Sequence, residues 1–227
     1  QHGSRIPVGP KRNIVSLAAL MLSLAIPVGI IYLLEMVNTK VRGRKDLEGT
    51  PVPFVGEIPQ VGESKRKCPF RKTSREDEQP VVVVKPGSRS IVNEAFRVMR
   101  TNLEFMRQKD KKCEVIIITS FNPGSGKSFL VTNLSISLAL KGKRILCIDG
   151  DLRRGSASAY IGSPKIGLSD YLSGRVNKLE EIIYPFPEQK ALDVIPMGTM
   201  PPNPTELLFS ERLGQLIETC KERYDYI

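Results

Sequence analysis

Residues 120–130 read SFNPGSGKSFL, and the spacing suits an anion. Gly124 and Gly126 leave the main chain without a Cβ where successive N–H groups can curl around phosphate oxygens. Lys127 has the reach for β- and γ-phosphates, and the Ser128 hydroxyl is a ligand type for Mg²⁺. Pro123 stiffens the start of the loop, and Ser125 and Phe129 complete the set expected to meet a nucleotide. The end of the run fits the pattern G-x-x-x-x-G-K-[ST], while Phe121 stands where the first glycine belongs. About twenty residues later, ILCIDGDLRRG carries Asp149, Asp151 and Arg153. Two carboxylates one residue apart can share metal coordination and proton acceptance. The chemistry expected is phosphate handling, with Lys127, Asp149 and Asp151 catalytic, Ser128, Asp149 and Asp151 holding metal, and Arg153 adding positive charge.

Such residues need a strand-loop-helix frame, and the surrounding sequence has that pattern. CEVIIITS before the loop is a β-branched run of the kind found in buried parallel strands. SFLVTNLSISLALKGK after it reads as a helix ending near Gly142. RILCIDGD and LDVIPMG read as two further strands, LSDYLSG and NKLEEII as short helical pieces, and TELLFSERLGQLIETCKER as one long amphipathic helix. Upstream, SIVNEAFRVMRTNLEFMRQ has helical spacing with Ser90 as its cap. Alternating strands and helices predict an α/β fold with a doubly wound parallel sheet over residues 90–227.

The remainder of the chain is different in kind. Residues 14–34, IVSLAALMLSLAIPVGIIYLL, carry no charge. At 1.5 Å each they span roughly 31 Å, about a bilayer core, so a transmembrane helix is expected, with residues 1–13 a tail on the periplasmic side. Basic residues flank both ends, so charge asymmetry favours a cytoplasmic C-terminal side only weakly; ATP chemistry after the span argues for the same side. Residues 35–89 read as a juxtamembrane linker, rich in charge, Pro and Gly, with TPVPFVGEIP as an apolar island. The formal net charge of +10 points to anionic partners. The single histidine, His2, argues against imidazole chemistry. Cys68, Cys113, Cys147 and Cys220 form no CxxC pair and read as reduced thiols, mostly buried.

The loop together with D-x-D-x-R resembles the Walker A and Walker A′ motifs of the ParA/MinD-like P-loop superfamily. Partitioning and division-site ATPases carry a signature lysine five residues before the loop lysine; that position is Asn122 here. The chain is more similar to the bacterial tyrosine kinases, which lack that lysine and for which the departure at Phe121 is ordinary. EAFRVMRTNLEF resembles that family's E-x-x-R-x-x-R element, with Glu94, Arg97 and Arg100; spacings of three put these residues on one helical face, and the resemblance implies that this face makes subunit contacts in a ring. GTMPPNPTELL resembles its G-x-x-PPNP-x-ELL segment. RIPVGPKRN, the span and DLEGTPVPFVGEIP resemble the second membrane helix and juxtamembrane stretch of polysaccharide co-polymerases fused to such kinases. The resemblance implies a tyrosine autokinase of the bacterial inner membrane, using ATP and Mg²⁺, acting with itself and with polysaccharide polymerisation and export machinery. No nucleic-acid partner is expected. A switch ATPase and a scaffold with a regulatory nucleotide site remain open, although Asn122 and the span count against the first. The family's Walker B strand would begin at YDYI, where this sequence stops, and its C-terminal tyrosine cluster is absent. The sequence is therefore expected to be a fragment with doubtful activity of its own.

Overall fold

The first helix along the chain is apolar on every side. α1, Arg12–Met36, has 25 residues and Pro27 inside it. Its side chains are all exposed, and a mean hydropathy of 2.5 makes it long and apolar enough to cross a membrane. Ser16 and Ser23 turn their hydroxyls back onto carbonyls of the preceding turn, which satisfies polar groups that lipid could not. The computed structural model describes residues 12–37, 49, 51–60, 81–107 and 111–227. It divides into two units, Gln1–Phe54 and Val55–Ile227.

The second unit is the α/β domain. Its named sheet has three strands, β1 (Ile145–Ile148), β2 (Tyr184–Phe186) and β3 (Gln189–Ile195), in the order β1-β3-β2. β1 and β3 are parallel, with Ile145 opposite Leu192 and Ile148 opposite Ile195. β2 is antiparallel to β3, a departure from the all-parallel sheet expected. Residues 187–188 are too short for anything but a hairpin, since a parallel pair needs a crossover of a dozen residues or more. The strand expected at YDYI runs parallel to both of its neighbours, with Tyr226 bridging Glu114 on one side and Ile145 on the other. Ile227 N–H donates to Glu114 O at 2.9 Å, Ile116 N–H to Ile227 O at 2.8 Å, and Leu146 N–H to Tyr226 O at 3.0 Å. The expected strand at CEVIIITS is thus paired only at its start. Past Ile116 it finds no ladder partner among the described residues, and Ile117 is 86% exposed.

Helices cover both faces of the sheet. α2 (Ile91–Met106) and α3 (Lys127–Ala139) lie on one, where Phe96, Leu134, Leu138, Ile145, Cys147 and Val194 form a core. α4 (Leu168–Leu172) and α6 (Glu211–Lys221) contribute to the other, with Leu146, Leu168, Ile195 and Leu216. Successive β1 residues therefore point into opposite cores, as the period of a strand demands. Each such side chain contributes about 1.5–3 kcal/mol when fully buried. The expected long C-terminal helix is two: α5 (Pro204–Leu208) and α6, broken at Phe209–Ser210. Ser210 is extended, with ψ 147°, at the N-cap position of α6, and its hydroxyl donates back to Leu207 O of α5.

Two stretches expected within the linker belong to the folded unit instead. Val55 and Ile58 pack on the α2–α3 core, and Val84 is buried in it. The fully buried Asn133 of α3 holds residues 81–84: its Oδ1 accepts from Val83 N–H at 2.8 Å and Val84 N–H at 3.2 Å, and its Nδ2 donates to Val81 O. Residues 61–80 of the expected linker, and Cys68, lie outside the described residues. Cys113, Cys147 and Cys220 are free and buried, as expected. Burial pushes the Cys147 thiol up to about 12, which makes it a core side chain and not a nucleophile.

Candidate active site

The phosphate-loop candidate sits between the half-paired segment and α3. Gly124 (φ 76°) and Gly126 (φ 86°) are left-handed, and Gly126 is the residue before the first turn of α3. A Cβ at either would meet nothing within 4 Å, so glycine is needed for conformation and not for space. Ser120 and Ser125 both donate their hydroxyls to Asn122 O, which draws the loop into a tight curl. Lys127 opens α3, and its ammonium donates to Ser120 Oγ at 3.1 Å. Ser128 follows in the first turn, where main-chain N–H groups and the helix dipole favour an anion. Pro123 is at the exposed crest, and Phe121 beside it is fully exposed. Phe129 faces the other way: its ring packs edge-on against Phe96, centroids 5.9 Å apart. Only its main chain is left for the loop.

Asp149 and Asp151 follow β1 and reach the same place. Lys127, Ser128, Asp149 and Asp151 line part of a cavity of about 610 Å³ whose remaining lining is mostly apolar, with Ile116, Leu138, Ile217 and Ile227. The two carboxylates differ. Asp149 is buried; its Oδ1 accepts from Asp151 N–H at 3.2 Å, and its Oδ2 from Ser158 N–H at 2.8 Å and Ser158 Oγ at 2.7 Å. Burial pushes its carboxyl up, against those hydrogen bonds from Ser158 and Asp151. Asp151 is half-buried, and its Oδ1 accepts from the N–H groups of Arg153 and Arg154 at 3.3 and 3.2 Å. Its Oδ2 has no partner among the described residues. The Arg153 side chain is exposed beside them.

Glu94, Arg97 and Arg100 do not share one face. Arg97 pairs with Glu94 of its own helix at 3.0 Å, and both are 58% exposed. Arg100 turns inward and donates to Ser137 O of α3 at 2.7 Å. Steps of three on a helix of 3.6 residues per turn drift by about 60° each, so Arg100 stands about 120° round the helix from Glu94. The sequence reading passed over Ser158 and Asn133. Neither belongs to a phosphate-site pattern, and only their neighbours in space mark them.

A family model for the CobQ/CobB/MinD/ParA nucleotide binding domain matches residues 116–222. A tyrosine-protein kinase of Klebsiella pneumoniae, whose name assigns it to a cps region, is 34% identical over 225 residues, 97% of this chain and 31% of the relative. The chain thus spans about a third of the length of the curated relatives it matches. Among solved structures, the BceF tyrosine kinase domain is 36% identical, with a TM-score of 0.65 over 79% of this chain and 71% of that one. The kinase domain of Escherichia coli tyrosine kinase ETK is 31% identical, with a TM-score of 0.68 over 82% and 72%. By sequence and fold together, the chain belongs to the bacterial tyrosine kinase family.

Proposed function

We propose that the protein is a membrane-anchored tyrosine autokinase that transfers the γ-phosphoryl group of ATP to tyrosine. The observation that carries this is the convergence of Lys127, Ser128, Asp149 and Asp151 on one cavity, in a chain 36% identical to a tyrosine kinase domain. In the reaction a tyrosine oxygen forms a bond to the γ-phosphorus, the bond to the β-bridging oxygen breaks, and ADP leaves. Lys127 and the loop N–H groups hold the phosphates. Asp149, raised in basicity by burial, accepts the hydroxyl proton on the remaining lone pair of Oδ1. Catalysis is mostly positioning and neutralisation of charge. The residues suit Mg²⁺: the Ser128 hydroxyl and the open Oδ2 of Asp151 are hard oxygen donors, and no group of three metal-ligating side chains is present among the described residues. That combination fits an ion held largely by substrate phosphates and water. When bound, Mg²⁺ supplies charge stabilisation to the transferring group.

α1 is proposed to cross the bacterial inner membrane with the α/β unit in the cytoplasm, and extraction of the protein by carbonate or high salt would refute this. Self-assembly in a ring is proposed through the exposed α2 face with Glu94 and Arg97, while Arg100 fixes that helix to α3. Polysaccharide polymerisation and export machinery is the proposed partner, which the cps-region relative and the co-polymerase resemblance support. Incubation of the whole protein with Mg-ATP tests the activity. Phosphotyrosine is expected; free phosphate alone would mean a switch ATPase, and neither product a scaffold.

A further inference from the structure

We infer that Ser158 is a positioning residue for phosphoryl transfer: it clamps Asp149 and ties it to the loop that follows β3. This rests on the kinase reading above.

The geometry leaves Ser158 little freedom. Ser158 and Asp149 are 3% and 4% exposed. The serine gives two donors to one carboxylate oxygen, its N–H at 2.8 Å and its hydroxyl at 2.7 Å, both to Asp149 Oδ2. The same hydroxyl oxygen accepts from Met197 N–H at 2.8 Å. A main-chain N–H can only donate. The hydroxyl proton is therefore committed to Asp149, and the direction of the chain Met197 to Ser158 to Asp149 is fixed. Among uncharged side chains only a hydroxyl can donate and accept through a single atom in so small a space.

The far end of this chain is itself fixed. Asp149 N–H donates to Ile195 O at 2.9 Å, just before Met197, and Met197 O accepts from Ser169 N–H at 3.0 Å. Asp149 is thus held through its main chain by β3 and through its carboxylate by the loop that leaves β3. Oδ2 has both lone pairs filled, whereas Oδ1 receives one bond, from Asp151 N–H. The clamp selects which oxygen and which lone pair remain to act in the cavity that Asp149 shares with Lys127 and Ser128. A reacting group displaced by about 1 Å can lose 10²-fold in rate. Ser158 touches no phosphate-loop residue among the bonds described, so its effect passes through Asp149 and belongs in kcat and not in nucleotide affinity.

A double-mutant cycle in the full-length protein tests this, using Ser158→Ala, Ser158→Thr, Asp149→Asn and Ser158→Ala/Asp149→Asn. Ser158→Ala should lower kcat at least about tenfold with KM for ATP unchanged, and Ser158→Thr should restore most of it. In the Asp149→Asn background Ser158→Ala should add nothing. Mg-ADP affinity by calorimetry should stay the same in Ser158→Ala and Ser158→Thr as in the unaltered protein. Independently of activity, the Met197 amide should exchange faster in Ser158→Ala and not in Ser158→Thr. Multiplicative losses in the two backgrounds, an affinity that falls with kcat, or an unchanged Met197 amide would each overturn the inference. Absence of phosphotyrosine with intact ATP hydrolysis would sink the kinase reading alone, since the cycle is read equally on phosphate release. The amide exchange stands whether or not any turnover is measured.

Discussion

The two sides of the sheet carry different kinds of residue. On the β1-β3-β2 side, Leu192, Val194 and Ile195 are buried and every strand has a partner. On the phosphate-loop side, the apolar run 115–118 is half open and Ile117 and Phe121 face solvent. The packed side positions Asp149 at the end of β1, and the loop side carries the groups aimed at phosphate, with polar contacts such as Lys127 on Ser120 and Ser125 on Asn122. Changes on the loop side should therefore register in turnover, and changes on the packed side in stability.

The largest effect expected is on the loop flank. Lys127→Met should lower ATP turnover by about 10²–10³-fold, the typical loss of one charge-stabilising group, with unfolding free energy unchanged within about 0.5 kcal/mol. A large loss of stability would break the contrast. Next comes Asn133→Ala on the packed flank, which leaves the Val83 and Val84 N–H groups without their acceptor. At about 1–3 kcal/mol per unsatisfied buried group, the two together should register about 2–6 kcal/mol in denaturant unfolding.

A smaller effect is expected at Asp170. Burial alone would raise its carboxyl, but hydrogen bonds from Thr199, Gly167 and Arg175 hold it below its ordinary value. A lowered native pKa means that the unfolded chain binds the proton more readily. The stabilisation is complete above the ordinary carboxylate range and is lost as pH falls through the lowered value. Asp170→Asn should cost about 1–2 kcal/mol at neutral pH and flatten the acid limb of the stability profile; an unaltered limb would refute the assignment. The smallest effect sharpens the comparison most. Phe209→Thr, at an 87% exposed site between α5 and α6, should change stability by less than about 0.5 kcal/mol, whereas Ile195→Thr should cost several times more.

Patterns repeated along the chain were readable, and single contacts across it were not. The loop glycines, Lys127, Ser128 and the pair Asp149 and Asp151 stand close in sequence with fixed spacing, and they do line one cavity. A strand at YDYI was legible from the resemblance to the family's Walker B segment, and it pairs with the loop segment at Glu114 and with β1 at Ile145. β2 was not foreseen: YPF is three residues long with a proline in the middle, below any periodic signal. The break at Ser210 hid inside an amphipathic pattern that continues across it. Arg100 was misread because spacing by three was treated as one face. Ser158 and Asn133 carry no signal at all, since a serine or asparagine reads as surface until its buried partners are known.

The insertion of residues 225–227 between the loop segment and β1 has a consequence during synthesis. Arg144 N–H waits for the Asp225 carboxylate 81 positions downstream. At about 5–20 residues per second the ribosome needs roughly 4–16 s to deliver it. Through that interval the apolar segment 114–118 has emerged without the backbone that will lie beside it, at a point where the nascent chain is already tethered if α1 has entered the bilayer. Its open edge is a place for a chaperone or a second nascent chain to pair. Chains arrested on the ribosome just before residue 225 should be cut by protease around residues 113–116, and chains arrested far enough downstream for Ile227 to have emerged should resist there.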